Sequence, residues 1–340
     1  IFRKYFRKGR GRMNVGLIKT KIEKRIKRCV IEVVWRERKT SFGNSDSGRK
    51  YYIVRRASKV QGLFSYVFTN LVRIENAVQR GYIPVVDMKN YRNSFQEENQ
   101  FGKINAWELF FEQPLNVSLD DIASEKNITL GHGGTPEFIP NTTEEFLNNP
   151  KEFLYWSSAM KKYVRPNRKM QDYIINRKKE LFPENCRVVG VLGRGTDYTA
   201  TKPYMHPIQP EVSDLIAKTR EVMKEHSCTH VFLATEDEGV YREFKNAFGE
   251  QLIVNQDVRY ENTGKKLITE MSTERKNDKY LTGRDYLTSV FILSQCNCLV
   301  AGKTSGSLAA LLLSEGYEYS YLFNLGFYGM KDNEQWNIRG

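Results

Sequence analysis

The sequence predicts an α/β protein built on open, mostly parallel β-sheets. Strand-like apolar runs alternate with helical segments throughout residues 187–315, and such alternation indicates a parallel sheet with helical connections. A β–loop–α–β unit stands earlier, at residues 51–88. The 340 residues are also enough for two domains of ordinary size.

The composition is that of a folded globular protein, with 40% hydrophobic residues. No run approaches the roughly 20 apolar residues of a membrane-spanning helix, and no secretory signal is visible. The five cysteines are scattered and odd in number, which favours free thiols in a reducing compartment. No zinc-type Cys/His spacing occurs.

Residues 1–44 are predicted to be a separate basic segment, which carries much of the net charge of +13. Apolar residues recur there at helical spacing, at Ile18, Ile22, Ile26, Cys29 and Val30. A basic amphipathic helix is typical of peripheral contact with an anionic membrane, and equally of a solvated helix on its own domain. Nucleic acid is not expected as a partner, because no nucleic-acid-binding motif accompanies the charge.

A first α/β domain is predicted over residues 45–180. After a Ser/Gly-rich linker, "YYIVRR" and "YIPVVDM" are strands, and a helix between them stops at Gly81. The loop "KVQGLFS", with Gly62, follows the first strand at its carboxyl end, where open sheets bind ligands. The irregular stretch that follows ends in "NRKMQDYIINRKKELF", which is predicted to be a connector helix.

A second α/β domain is predicted over residues 181–340. Its strands are "RVVGVLG", "THVFLAT", "QLIVNQD" and "CLVAG", and its helices are "SDLIAKTREVMKEH", "VYREFKNAFG", "GRDYLTSVFILSQC" and "GSLAALLLSEG". No Gly-x-Gly-x-x-Gly follows any strand, which argues against a dinucleotide oxidoreductase. Polar loops follow the strands at "GRGTDYTATKP", "TEDEG" and "GKTSGS", and they should converge on one crevice.

The first of these loops offers Arg194, whose forked guanidinium can hold two diphosphate oxygens. A structural ion pair with Asp197 is the alternative. His206 is either a ligand contact or a satisfied turn histidine. In the second loop, Glu236 and Asp237 could accept hydrogen bonds from a ribose or a base, while helix N-capping is the plain alternative for Asp237.

The third loop, with "GKTSGS", superficially resembles a phosphate-binding P-loop. That motif needs a glycine five residues before Gly302, but Asn297 stands there. The stretch is therefore predicted to be a strand, a short turn and a helix N-terminus, which can itself attract an anion.

Taken in order, "VVGVLGRGTDYTATKPYMHPI", "VFLATED" and "LSQCNCLVAGKTSGSLA" resemble the motifs of the α1,6-fucosyltransferase superfamily, which includes the nodulation and protein O-fucosyltransferases. The resemblance implies a GT-B-like fold of two facing Rossmann-like domains, with the acceptor side in the first. It also implies inverting, metal-independent transfer from GDP-fucose to a glycan, with no cofactor. By position it implies that Arg194 contacts the β-phosphate, and that Glu236, Asp237, Thr304 and Ser305 contact the donor.

Three departures from the family pattern put guanine recognition and the sugar in doubt. Leu192 replaces the motif histidine, and Gly195 replaces a second arginine. Ser289 aligns with the nucleotide-contacting aspartate, for which Asp285, one turn earlier, is a possible substitute.

The sequence therefore favours a fucosyltransferase-like enzyme located in the cytoplasm of a bacterium and peripheral to the membrane. The alternatives are a transferase that uses another nucleotide sugar and a non-catalytic nucleotide- or carbohydrate-binding relative. No general base stands out: Glu75 and Asp87 have nothing to single them out.

Overall fold

The protein is described here by a computed structural model, which covers residues 33–195, 202, 204–255, 258–261 and 273–330. The predicted basic helix lies outside these residues. The first sheet contains β1 (Arg38–Thr40), β2 (Tyr51–Val54), β3 (Ile83–Val86) and β4 (Ile128–Leu130). Its strand order is β1-β4-β2-β3. Strand β2 is parallel to both neighbours, while β1 is antiparallel to β4.

The second sheet is parallel throughout. It contains β5 (Val188–Leu192), β6 (His230–Ala234), β7 (Leu252–Val254), β8 (Cys298–Gly302) and β9 (Tyr319–Phe323). The strand order is β7-β6-β5-β8-β9. The α/β class with mostly parallel sheets is therefore confirmed.

Helices connect and cover the sheets. They are α1 (Leu63–Gln79), α2 (Glu144–Leu147), α3 (Pro150–Tyr163), α4 (Arg168–Leu181), α5 (Val212–Glu225), α6 (Glu238–Phe248), α7 (Asp278–Leu293) and α8 (Ser305–Leu313). Short 3-10 turns lie at Glu98–Gln100 and Gly249–Gln251. No helix in the described ranges is long and apolar enough to cross a membrane.

The largest hydrophobic cluster joins the two halves of the chain. It runs from Tyr52 and Phe64 in the first half to Leu287 and Leu299 in the second. At this junction the Ser157 hydroxyl of α3 donates to the carbonyl of Leu312 in α8, at 2.7 Å. Because the core is continuous here, the domain boundaries at residues 45 and 181 stay a prediction.

The cysteines that the structure describes have free thiols. Cys228, Cys296 and Cys298 are buried and Cys186 is partly buried. Burial raises the pKa of the Cys298 thiol to about 12, since desolvation disfavours the thiolate. These thiols are therefore core residues with little nucleophilic character at neutral pH.

Candidate functional site

The strand order of the second sheet creates a crevice between β5 and β8. From β5 the chain continues to β6 and β7 on one side, and it then crosses to β8 on the other side. The carboxyl ends of two strands that lead in opposite directions leave a gap between their loops, which is the usual ligand site of open α/β sheets. Arg194 follows β5 and Lys303 follows β8, so both lie at this gap.

A cleft of about 430 Å³ opens at this point, and residues from both halves of the chain line it. We call it the switch-point cleft, because it lies where the strand order reverses between β5 and β8. Six of the predicted site residues line this cleft: Gly62, Arg194, His206, Glu236, Thr304 and Ser305. The loops after β5, β6 and β8 thus converge as the topology requires. Asp197 lies outside the described residues.

Arg194 and Glu236 form an ion pair within the cleft. Their Nη1 and Oε2 atoms are 3.5 Å apart, and the two side chains are 19% and 13% exposed. The parallel pairing of β5 with β6 places these residues side by side, because each follows the end of its strand by two positions. A guanidinium has five N–H groups, so Arg194 can still donate to a ligand while it is paired.

Asp237 serves the fold of the second loop. It is the N-cap of α6, where its Oδ1 accepts from the backbone N–H of Val240 at 2.9 Å. It is 8% exposed and does not line the cleft. A Cβ at Gly195 would overlap the Asp237 carboxylate, which gives a steric reason for glycine where the family pattern has a second arginine.

The third loop is a two-residue turn, Lys303 and Thr304, between β8 and α8. Thr304 is the N-cap of α8. Its hydroxyl accepts from Ser307 N at 3.0 Å, and the Ser307 hydroxyl accepts from Thr304 N at 2.9 Å. Such a turn is too short to wrap phosphates as a P-loop does. Helix geometry leaves the N–H groups of Ser305 and Gly306 without intrahelical partners, and both residues line the cleft.

Lys303 is a cleft residue that the sequence reasoning did not single out. It lines the cleft yet is only 6% exposed. Burial lowers the pKa of its ammonium group, and the charge of Glu144 opposes this effect. Its backbone is held by Gln209, whose Nε2 donates to the Lys303 carbonyl at 3.2 Å. The only sequence signal for this lysine was the "GKT" triplet, and that triplet is typical of a P-loop, which this turn is not.

Asp285 and Ser289 do not line the cleft. The Asp285 carboxylate accepts from Arg284 Nη2 at 2.8 Å and lies 3.6 Å from Arg275. The Ser289 hydroxyl is fully buried and donates to the Asp285 carbonyl at 2.9 Å. The face of α7 that lines the cleft is formed by Thr282, Gly283 and Tyr286. The predicted roles of Asp285 and Ser289 toward a nucleotide therefore stay predictions, and the positions of these residues do not support them.

A larger cleft, of about 1750 Å³, lies between α1 and α3. Two pairs of its polar groups already contact each other: Arg80 with Glu37 at 2.6 Å, and the Tyr155 hydroxyl with Glu75 at 2.7 Å. Volume alone therefore makes a weaker case for it than the converging strand-end loops make for the switch-point cleft, where we place the candidate site. No group of three or more His, Cys, Asp or Glu side chains that could hold a metal ion occurs among the described residues.

Comparison with known proteins supports the fold. No protein-family profile matches the chain, and no curated protein matches its sequence. A crystal structure of POFUT1 in complex with GDP matches with a TM-score of 0.50 at 10% identity, over 81% of this chain and 99% of that chain. The fucosyltransferase NodZ from Bradyrhizobium matches with a TM-score of 0.47 at 14% identity, over 83% and 97%. At this identity the likeness to POFUT1 shows a shared fold, and it agrees with the fold that the predicted resemblance implies.

Proposed function

We propose that the chain is a glycosyltransferase that transfers a sugar, fucose in the first instance, from a GDP-sugar to a glycan acceptor. The observation that carries this proposal is the convergence of Arg194, Glu236 and the N-terminus of α8 on one cleft at the switch point. An arginine beside open helix N–H groups is a site for a phosphorylated ligand. The POFUT1 structure with the matching fold is a complex with GDP, which makes GDP the first nucleotide to test.

The chemistry of sugar transfer needs these groups. The acceptor hydroxyl forms a bond to the anomeric carbon while the bond from that carbon to the β-phosphate oxygen breaks. The electron pair stays on the oxygen, so the diphosphate gains negative charge. Fixed N–H donors and cations that face this oxygen stabilise the transition state more than the ground state. Attack from the face opposite the diphosphate inverts the anomeric centre.

Metal-independent transfer is part of this proposal, because Arg194 and the N-terminus of α8 offer the diphosphate protein-based positive charge. A base for the acceptor hydroxyl stays unassigned. Glu75 lines the larger cleft, and Asp87 is buried with its Oδ1 accepting from the N–H groups of Lys89 and Asn90.

A donor with another base is the second candidate. Ser289 stands at the place of the family's nucleotide-contacting aspartate and Asp285 is its possible substitute, and neither residue lines the cleft. The structure therefore supports a diphosphate site more directly than it supports guanine specificity. A non-catalytic nucleotide-binding relative is the remaining alternative.

Calorimetric titration with GDP and with UDP, each in EDTA and in magnesium, tests the proposal. We expect GDP to bind equally well in both buffers. Tight binding of UDP alone would support the second candidate, and strict dependence on magnesium would contradict metal-independent transfer. Nucleotide release from GDP-fucose and UDP-sugars then separates an enzyme from a binding relative.

A further inference from the structure

We infer that Lys303 binds the diphosphate of the donor and, among the described residues of the switch-point cleft, provides the main unneutralised positive charge. The inference rests on the proposed function. Lys303 is 94% buried and lines the cleft, and no described residue forms a hydrogen bond or an ion pair with its ammonium group.

An ammonium group on a largely buried side chain loses part of its hydration, and without a partner no hydrogen bond or ion pair offsets that loss. The lowered pKa of Lys303 reflects that loss. Glu144 is the nearby carboxylate that opposes it, but one of its oxygens accepts from Asn324 Nδ2 at 2.6 Å. An anion in the cleft would therefore restore the missing interaction and raise the pKa of Lys303.

Arg194 is a weaker source of net charge. Its guanidinium already lies 3.5 Å from the Glu236 carboxylate, so the pair as a whole is close to neutral. Glu236 holds the arginine in place, and Arg194 then offers directed N–H donors. Lys303 contributes what the pair lacks, a full positive charge in a poorly hydrated position.

The position of Lys303 in the chain adds to this effect. Lys303 immediately precedes Thr304, the N-cap of α8. Its charge and the positive end of that helix would therefore both attract an anion bound in the cleft. Ser305 and Gly306, the first two residues of that helix, line the same cleft. Ammonium, helix terminus and guanidinium thus belong to two neighbouring strand ends, and a diphosphate is the common ligand class that could span them.

The test compares Lys303→Met with Lys151→Met in the full chain. Lys151 is an exposed lysine of the larger cleft, so its variant removes the same charge elsewhere. Each protein is titrated with inorganic pyrophosphate, GDP and guanosine in EDTA. We expect Lys303→Met to weaken pyrophosphate and GDP about 10- to 100-fold, to leave any guanosine binding unchanged, and to match or exceed the wild-type Tm. Lys151→Met should behave as the wild type.

Binding of pyrophosphate and GDP within about twofold of the wild type in Lys303→Met would overturn the inference. So would an equal weakening in Lys151→Met, or an equal weakening toward guanosine. Lys303→Gln serves as the second variant if the methionine protein does not fold. A wild-type chain that binds UDP and not GDP would refute the proposed donor, and Lys303 would then be tested with UDP. A wild-type chain that binds neither pyrophosphate nor either nucleotide would refute both proposals.

Discussion

Arg194 and Glu236 follow neighbouring parallel strands, and their side chains meet with Nη1 3.5 Å from Oε2 inside the switch-point cleft. The pair is mostly buried, so it restricts the guanidinium to a narrow range of orientations. A fixed fork at a cleft wall suits a ligand with two phosphate oxygens.

Arg194→Lys is expected to lower kcat by roughly 10²–10³-fold with little change in KM. Lysine keeps the charge but loses the planar fork, and a donor that acts on developing charge is worth about 3–4 kcal/mol in the transition state. Turnover of GDP-fucose and Tm are measured together. If the arginine is only half of a structural ion pair, the lysine variant will keep near wild-type turnover, and Glu236→Gln will cost mainly stability.

Asp237→Ala should affect stability and leave donor binding nearly unchanged. Its carboxylate caps α6 through Val240 N, and loss of such a cap costs typically about 1 kcal/mol. Urea unfolding gives the free energy of unfolding, and Asp237→Asn is the matched control because asparagine is also a good N-cap. A large loss of GDP affinity in both variants, at unchanged stability, would instead assign Asp237 to the donor site.

Gly306→Ala is expected to destabilise the protein by about 1–3 kcal/mol, since overpacking forces neighbours to move. A Cβ at this position would overlap the hydroxyl of Tyr286. The double variant with Tyr286→Phe removes that hydroxyl and should recover much of the loss. Thermal unfolding of both single variants and the double variant checks this. Equal loss in Gly306→Ala with and without Tyr286→Phe would mean that the hydroxyl is not the obstacle.

Residues 1–40 are predicted to bind anionic lipid, each basic residue near the surface contributing about 1 kcal/mol. The first two residues of this segment that the structure describes, Val33 and Val34, are 68% and 54% exposed. Co-sedimentation with phosphatidylserine vesicles should pellet the full chain at low salt but not at high salt, and neutral vesicles are the control. A chain that lacks residues 1–32 should stay in solution. Equal pelleting of the two chains would place the lipid contact elsewhere.

The local elements of the fold were predictable because their hydrophobic periods are strong. Helix α1 has Leu63, Val67, Leu71 and Ile74 on its buried face, and β5 and β8 are continuous apolar runs. The short strands β1, β4 and β9 were not predicted. Strands β1 and β4 have three residues each, which is too few to show an alternation of apolar and polar residues. They form strands because neighbouring strands supply their hydrogen-bond partners.

The candidate site was predictable in part for a related reason. Strand-end loops in a parallel sheet share one edge, so the convergence of Arg194, Glu236 and Thr304 follows from the alternation of strands and helices. The side of α7 that faces the cleft does not follow from it. Tyr286 lines the cleft, whereas Asp285, its neighbour in the sequence, pairs with Arg284. That choice depends on how the helix rotates to bury Leu287 and Val290.

By itself the sequence determined the class of fold, the order of the longer helices and strands, and the loops that carry polar side chains, because these follow from local periodicity and turn chemistry. Only the tertiary structure decided that β8 lies beside β5. This adjacency between distant segments brings Lys303 to the cleft of Arg194 and buries it there without a partner among the described residues. Burial and charge pairing arise from contacts across the chain, so "GKTSGS" alone does not show that its lysine is 6% exposed and lines a cleft.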